Sequence, residues 1–430
     1  MLKHIFIQLW NRKRANIWIF VELVLVFCLL WYIVDYFFVL GYNKNLPSGR
    51  SLEHTWQIDV SLLPSEHPEY QAGESDSTAL VANYERLLDR IRHYEGVEAL
   101  AVLSHWSTPG GGSFWGASFR NRNDTTAIAS GQTILFDPRT DFFKVFRYTD
   151  AEGRLVSAGD FDWSDPRAIV IGQQAVTQLF GGKNPIGGIV EDSPQEYYIV
   201  KGVVGDIKRF DYNRPQVAFY KPMRADETNL SGMEIAVRSH ESLSDSRFLQ
   251  DFKKQMSREL RIGNFYLKGI KSYEKINADT DMEFGVTNEF RIRTAFMLFF
   301  LVNIMLCVMG TFWFRIRVRR EEIGLRMAMG STRSGIRKLF FMEGICLLTI
   351  ALIPAILIES QIVYFGLIET LGATGEKGAN SIYLPDRTIL RFVLTNCLTW
   401  LLLAVVLTIA IWLPAAKASK IAPADALHDE

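Results

Sequence analysis

Long uninterrupted runs of apolar residues dominate the pattern of this chain. A membrane helix needs about 20 mostly apolar residues to cross a hydrocarbon core of about 30 Å. Four runs are long enough, at residues 17–40, 294–314, 339–365 and 391–413. Residues 41–291, between the first two runs, mix polar and apolar positions. The pattern therefore predicts four transmembrane α-helices, one plus three, with a large mixed α+β extracytoplasmic domain between helices 1 and 2.

Within residues 41–291 the period of the apolar positions changes along the chain. Residues 79–94 have apolar positions at helical spacing, and residues 173–180 form a shorter helical pattern that Gly181 should end. Residues 168–171 and 197–204 are rich in β-branched side chains and read as strands. The alternation predicts a domain that is large enough to bury its own core.

Basic residues on short loops mark the cytoplasmic side of a membrane protein. Here the basic short segments are residues 1–16, 315–338 and 414–430. With four spans, all three lie on the same face. We therefore expect both termini in the cytoplasm, with residues 41–291 and the short loop at residues 366–390 on the outer side.

The first apolar run could also be interpreted as a cleaved signal peptide, because Arg12, Lys13 and Arg14 precede it. The run is too long for a typical signal core, and it contains Glu22 and Asp35. No small-x-small cleavage site follows it. We expect a retained membrane anchor.

Charge and cysteine content add little to this picture. Lys plus Arg and Asp plus Glu balance at 47 each, so bulk charge gives no argument for nucleic-acid binding. The four cysteines lie in the apolar runs, which leaves none for a disulfide framework in the polar domain.

Motifs for catalysis or for a resident cofactor are missing from the sequence. Residues 181–184 do not match a phosphate-binding GxxxxGK[ST] loop, and the histidines form no HExxH or His/Cys cluster. No serine lies in a GxSxG turn. We expect a non-catalytic chain that holds no cofactor or metal of its own.

An aromatic, glycine-rich segment, HWSTPGGGSFWG, occupies residues 105–116. Trp106, Phe114 and Trp115 make it a candidate loop for contacting a partner or substrate. The alternative is a wide β-connection whose aromatic side chains fold back onto the core. We favour packing, because aromatic side chains are more often packed than displayed.

Acidic residues in or near the apolar runs are costly and could form a proton relay. Glu22 and Glu343 each lie close to one end of a run, and Asp35 lies close to the other end of the first run. We expect Glu22 and Glu343 to pair with nearby arginines near the membrane interface, because a relay needs acids at the midplane. Pro354 should kink the third span.

The basic segment at residues 315–338 should continue the second span as a helix. Glu322 and Arg326 can pair at i,i+4, while Ile323 and Met327 line one face. Gly330 offers a helix stop, and the residues after it can cap the third span. The result would be a short amphipathic helix on the cytoplasmic membrane surface. The alternative is that the basic residues only fix the topology and contact anionic lipid, and the pattern alone does not choose between the two.

Several short motifs resemble those of the FtsX/MacB-type ABC permeases. The cytoplasmic segment has REEIGLR at 320–326 and AMGS at 328–331, and the C-terminal part has LPAAKA at 413–418 and IAPADAL at 421–427. The outer segment resembles the MacB-like periplasmic core domain through DFF at 141–143, GRL at 153–155, FGG at 180–182, NPIG at 184–187 and VKGVV at 200–204. Each motif is short, and their order together with the one-plus-three spans makes the combination specific.

The resemblance implies a permease subunit of a bacterial ABC transporter in the cell inner membrane. Such a subunit transmits ATP-driven motion to its periplasmic domain and exports or extracts a lipid, lipoprotein, peptide or toxic compound. The expected partners are an ATPase subunit that binds ATP and Mg, a second permease that is identical or related, a periplasmic adaptor or carrier protein, and membrane lipids. MacB carries its ATPase at its N-terminus, whereas only residues 1–16 precede the first span here, so we expect a separate ATPase.

The same resemblance makes four residues of the cytoplasmic segment candidates for contact with the ATPase: Glu321, Glu322, Arg326 and Met329. An alternative function is a transmembrane regulator or sensor of cell-envelope processes that moves no substrate. A membrane-bound enzyme is a third class, and no motif favours it.

Overall fold

In this computed structural model the chain is described over residues 13–193, 195–223, 230–365 and 388–418. It divides into two compact units, which are treated separately below. The inserted domain runs from Asn43 to Phe284, and the membrane unit comprises the described residues on either side of it. The expected fold class, membrane helices in a one-plus-three order around a mixed α and β domain, is confirmed.

The membrane unit contains four helices that are long and apolar enough to span a bilayer, counted over the described residues. They are α1 (Lys13–Asn45), α7 (Val286–Val318), α9 (Arg333–Tyr364) and α10 (Thr388–Ala418). Each extends past its apolar run, because polar residues continue a helix that the apolar run has started. The terminal segments expected at residues 1–16 and 414–430 lie largely outside the described residues, and the loop expected at 366–390 is described only from 388 onward, inside α10.

Apolar side chains from all four helices form the core of the membrane unit. Phe27 of α1, Phe312 of α7, Leu348 of α9 and Leu407 of α10 are at most 1% exposed within it. At Gly344 of α9 a Cβ atom would lie 2.3 Å from Ile411 Cδ1. The missing side chain therefore lets α9 and α10 approach closely, as small residues do in membrane bundles.

The inserted domain is built on one ten-stranded sheet with the order β10-β1-β9-β2-β4-β3-β6-β7-β5-β8. The strands are β1 (Thr55–Leu62), β2 (Val97–Ser104), β3 (Trp115–Asn121), β4 (Asp124–Phe136), β5 (Ala168–Gly172), β6 (Ile189–Ser193), β7 (Glu196–Val204), β8 (Ala218–Pro222), β9 (Met233–Ser239) and β10 (Phe265–Ser272). Strand β8 also pairs in parallel with β4, so the six strands from β4 to β8 close into a ring. Closure pairs the edge of β8 that would otherwise be exposed.

Helices of the inserted domain cover the faces of this sheet. They are α2 (Ser77–Arg92), α3 (Phe142–Val145), α4 (Gln173–Phe180), α5 (Asp245–Glu259) and α6 (Tyr273–Glu283). Both helices and both strands expected from the sequence are confirmed within two residues at each end. Gly181 ends α4 with φ at +59°, a left-handed conformation that favours glycine. Phe142 and Phe143 of the DFF motif are fully buried, so this motif serves the core.

We expect Gly344→Leu to destabilise the chain by about 1–3 kcal/mol, because the added side chain overpacks the contact between α9 and α10. Gly310→Leu in α7 is the matched control, since a Cβ atom at Gly310 meets nothing within 4 Å. Thermal unfolding in detergent micelles measures both variants. Equal midpoints for the two would contradict the close approach.

Candidate coupling site

A short helix, α8 (Arg320–Ala328), follows α7 after a break at Arg319. Gly330 ends this segment with φ at +96°, and the Thr332 hydroxyl accepts a hydrogen bond from the backbone N–H of Gly335 at 3.1 Å. That contact caps the start of α9. The stop and the cap expected from the sequence are therefore confirmed.

One face of α8 is anchored in the membrane unit. Ile323 is only 4% exposed and belongs to the apolar core, and Met327 packs against that core. The opposite face carries Glu321, Leu325 and Met329, spaced four residues apart and all exposed. We call these three residues the α8 ridge. Leu325 and Met329 expose 53% and 75% of their surface.

Two of the four candidate residues contact each other on the side of α8. Arg326 Nη2 donates to Glu322 Oε1 at 2.7 Å, which confirms the expected i,i+4 pair. Glu321 and Met329 lie on the ridge. A role in binding an ATPase stays a prediction for all four. The sequence analysis missed Leu325, although its place four residues from both Glu321 and Met329 was a readable signal.

Buried charges hold the base of α8 in place. Glu343 of α9 accepts hydrogen bonds from Arg315 Nη1 and Arg319 Nη1, each at 2.9 Å. Glu343 is 3% exposed and Arg319 is 5% exposed. We call these three residues the Glu343 cluster, and it joins the end of α7 to the start of α9 beside the break. The predicted pairing of Glu343 with arginines is confirmed.

Glu22 does not form the arginine pair that was predicted for it. Its carboxylate accepts a hydrogen bond from the Cys307 thiol at 2.6 Å, and it pairs with no arginine among the described residues. The expectation for Glu22 is therefore wrong. The physical reason is geometric, because Glu343 takes the hydrogen bonds of the arginines at the end of α7, while Glu22 faces Cys307 farther along that helix.

Asp35 also has a partner that the sequence did not indicate. Arg391 of α10 donates to Asp35 through Nε at 2.8 Å and through Nη2. Both side chains are at most 2% exposed. Next to them, Trp31 Nε1 donates to Thr395 Oγ1 at 3.0 Å, so polar contacts link α1 to α10 inside the unit.

In the inserted domain, residues 207–213 form a loop that links the two ends of the domain. The Asn43 side chain donates to the Tyr212 carbonyl oxygen at 2.8 Å, and Lys208 Nζ donates to the Asn43 carbonyl oxygen at 2.9 Å. The Phe210 ring contacts Phe284, the last residue of the domain, with centroids 5.7 Å apart. We call this loop and the two ends the junction.

The aromatic segment at residues 105–116 borders the junction. Arg209 donates to the Gly112 carbonyl oxygen at 2.8 Å, and its guanidinium group lies 3.8 Å from the Phe114 ring centroid. Trp106, Phe114 and Trp115 each expose 46–48% of their surface, and none belongs to a hydrophobic core cluster. This outcome differs from the packing favoured from the sequence, because these rings contact each other and Arg209. A partner role stays a prediction.

A buried carboxylate supports the base of this segment. Glu234 accepts a hydrogen bond from the Thr108 hydroxyl at 2.6 Å and one from the Tyr273 hydroxyl. Its interaction with His105 raises the pKa of that histidine. Across the described part of the chain, no group of three or more His, Cys, Asp or Glu side chains is arranged to hold a metal ion.

Comparison with known proteins identifies two domains. The MacB-like periplasmic core domain matches residues 49–251, and the FtsX-like permease C-terminal domain matches residues 294–423. The macrolide export ATP-binding/permease protein MacB of Aggregatibacter actinomycetemcomitans is 23% identical over 228 residues, which are 52% of this chain and 34% of the relative. The chain thus spans about a third of the length of this relative.

Two solved structures are similar to the chain at low identity. The periplasmic region of MacB from Actinobacillus actinomycetemcomitans has 14% identity and a TM-score of 0.31, covering 56% of this chain and 98% of that one. The extracellular domain of the noncanonic ABC-type transporter YknZ from Gram-positive bacteria has 15% identity and a TM-score of 0.30, covering 50% of this chain and 100% of that one.

We expect Glu343→Gln to destabilise the chain by about 3–5 kcal/mol, because it leaves the buried Arg319 and the largely buried Arg315 without this carboxylate. Glu322→Gln is the matched control on the half-buried pair of α8, and its cost should stay below about 1 kcal/mol. Thermal unfolding in micelles compares them. A small effect at both positions would show that the Glu343 cluster does not hold the helices together.

A second prediction concerns Asp281, which lies near the junction. Burial first, and the nearby Asp211 second, raise the pKa of Asp281 to about 6. Its stabilising contribution is therefore complete below the usual pKa of 3.8 and is lost as the pH rises through about 6.

Asp281→Asn should then stabilise the chain at pH 7 by about 1 kcal/mol. This value is below the full linkage of about 1.4 kcal/mol per pKa unit, because the side chain is only half buried. Unfolding midpoints at pH 4 and pH 7 measure the effect. The gain should vanish at pH 4, and a gain of equal size at both pH values would contradict the assignment.

Proposed function

Because this chain belongs to the FtsX/MacB-like permease family, we propose that it is a permease subunit that passes ATP-driven motion from a separate ATPase to its inserted domain. Membership of the family supports a permease-type role in an ABC transporter, and the FtsX-like domain is generally non-catalytic. The bacterial inner membrane is the proposed location, with both termini in the cytoplasm and the inserted domain outside.

The α8 ridge is the observation that carries this proposal. Its exposed apolar residues, Leu325 and Met329, stand on a helix whose other face is buried through Ile323. Exposed apolar side chains beside charged ones are typical of a surface that binds another protein. We propose that an ATPase subunit, with its ATP and Mg, binds this ridge and displaces α8 when it binds or hydrolyses ATP.

The Glu343 cluster supports the next step of the proposal. It holds the α8 end of α7 to α9, so a force on α8 acts on two membrane helices at once. Displacement of α7 then reaches the inserted domain through its covalent link at Phe284. We propose that this motion drives export or extraction of a lipid, lipoprotein, peptide or toxic compound, together with a second permease and a periplasmic adaptor or carrier.

Co-purification of an ATPase tests the ridge. We expect wild-type chain, purified in mild detergent, to recover an ABC ATPase identified by mass spectrometry and by ATP hydrolysis. Glu321→Arg and Leu325→Asp should each lower recovery about tenfold, the loss expected for about 1.4 kcal/mol of binding energy. Glu283→Arg, at an exposed position of α6, is the matched control and should leave recovery unchanged.

Two outcomes would contradict the proposal. Failure of the wild-type chain to recover any ATPase would argue against a transporter subunit. Unchanged recovery of the ATPase with both ridge variants would show that the ATPase binds the chain at a site other than the α8 ridge. A third result would favour the alternative function, a regulator that moves no substrate. This result is recovery of an active ATPase whose hydrolysis moves no lipid, lipoprotein or peptide.

A further inference from the structure

A further buried acidic residue of the membrane unit, Glu359, lies near the opposite end of α9 from the Glu343 cluster. Its side chain is 0% exposed, and neither carboxyl oxygen has a hydrogen-bond partner among the residues that the structure describes. An ionised carboxylate that is buried without partners is among the most costly groups in a protein, and more so in an apolar bundle. The sequence analysis did not single out Glu359.

The amide of Asn396 on α10 lies beside the Glu359 carboxyl group. Asn396 Nδ2 donates to the Phe392 carbonyl oxygen at 3.0 Å, which fixes the orientation of the amide. The remaining oxygen, Oδ1, is buried and lacks a donor. The site therefore contains unsatisfied acceptors on both side chains, and a single added proton gives it the missing donor.

The charges around Glu359 do not balance a carboxylate. The titratable groups that it faces, Asp35 and the Cys28 thiol, both lie on α1. Arg391 makes two hydrogen bonds to Asp35, so that pair is already neutral. An ionised Glu359 would add a net negative charge to this buried group. Binding a metal cation is disfavoured, because hard cations require about six oxygen ligands and the described residues offer no group of three or more His, Cys, Asp or Glu side chains that could hold one.

We propose that Glu359 is a proton-binding site of the membrane unit, where the neutral carboxyl group donates its proton to Asn396 Oδ1 and joins α9 to α10. The bound proton removes the repulsion between Glu359 and Asp35. Loss of the proton creates that repulsion and weakens the packing of α1, α9 and α10 around the site. This binding function is separate from the proposed coupling to an ATPase.

Glu343 provides a matched comparison in the same helix. Both glutamates are buried, and only Glu343 has arginine partners. Two arginines therefore balance the charge of Glu343, whereas Glu359 has no described arginine partner. The same substitution, to glutamine, removes a charged group at one position and a neutral group of nearly equal shape at the other.

Infrared difference spectroscopy of the full chain in lipid nanodiscs tests the protonation state. At pH 7 the difference between wild type and Glu359→Gln should contain the carbonyl-stretch band of a protonated carboxylic acid. The difference between wild type and Glu343→Gln should lack that band. Asn396→Leu should shift the band to higher frequency, because the carboxyl group then loses its hydrogen-bond acceptor.

Thermal unfolding gives a second readout. The wild-type midpoint should fall by several degrees as the pH is raised from 7 to 10, whereas the midpoint of Glu359→Gln should change less over that range. The unfolding midpoint of Glu343→Gln should be lower than that of wild type at pH 7, and it should fall by the same amount as wild type when the pH is raised to 10. If Glu359→Gln does not fold, loss of the band from wild type between pH 7 and 10 serves in its place.

Absence of a protonated-acid band from wild type at pH 7, or its persistence in Glu359→Gln, would overturn the proposal. An unshifted band in Asn396→Leu would overturn the assignment of Asn396 as the acceptor. None of these results depends on an ATPase, so they are distinct from failure of the proposed function.

Discussion

The buried ion pairs between Glu343 and two arginines form the interaction on which the coupling region depends. Arg315 and Arg319 lie at the end of α7, where the chain breaks before α8, and Glu343 lies one turn or more inside α9. In an apolar environment these charges are tolerable only together. Their pairing therefore defines where α7 ends and how α9 begins, and α8 can then bury Ile323 while its ridge stays exposed.

The inserted domain also holds two distant parts of the chain together, and it does so with other contacts. Its two covalent connections, at Asn43 and Phe284, are linked by the junction loop at residues 207–213. The strand ring closed by β4 and β8 gives that loop a rigid base, since a closed ring has no free edge to slip.

Buried polar groups occur towards both ends of α9 and differ in how they are satisfied. Glu343 is satisfied by arginines, and Asp35 is satisfied by Arg391. Glu359 has neither kind of partner, which is why a bound proton accounts for it best. The bundle thus combines two buried charge pairs with one buried carboxyl group that no described arginine contacts.

Features that depend on neighbouring residues were determined by the sequence itself. The apolar runs specify membrane helices, because length and composition alone decide whether a helix can cross a bilayer. The stop at Gly330, the cap at Thr332 and the pair between Glu322 and Arg326 follow from contacts within one turn. The order of the residues also indicated the family, because short motifs of the FtsX/MacB-type permeases occur along this chain in the same order as in the family.

Only the tertiary structure decided which distant groups meet. Arg391 and Asp35 are 356 positions apart, and no periodicity relates them. The same holds for the closure of the strand ring, for the half-exposed Trp106 and for the unpartnered Glu359. Local patterns state which face of a helix or strand is apolar, whereas the identity of the opposing group depends on how the elements pack. The chemistry of the membrane unit depends on those opposing groups.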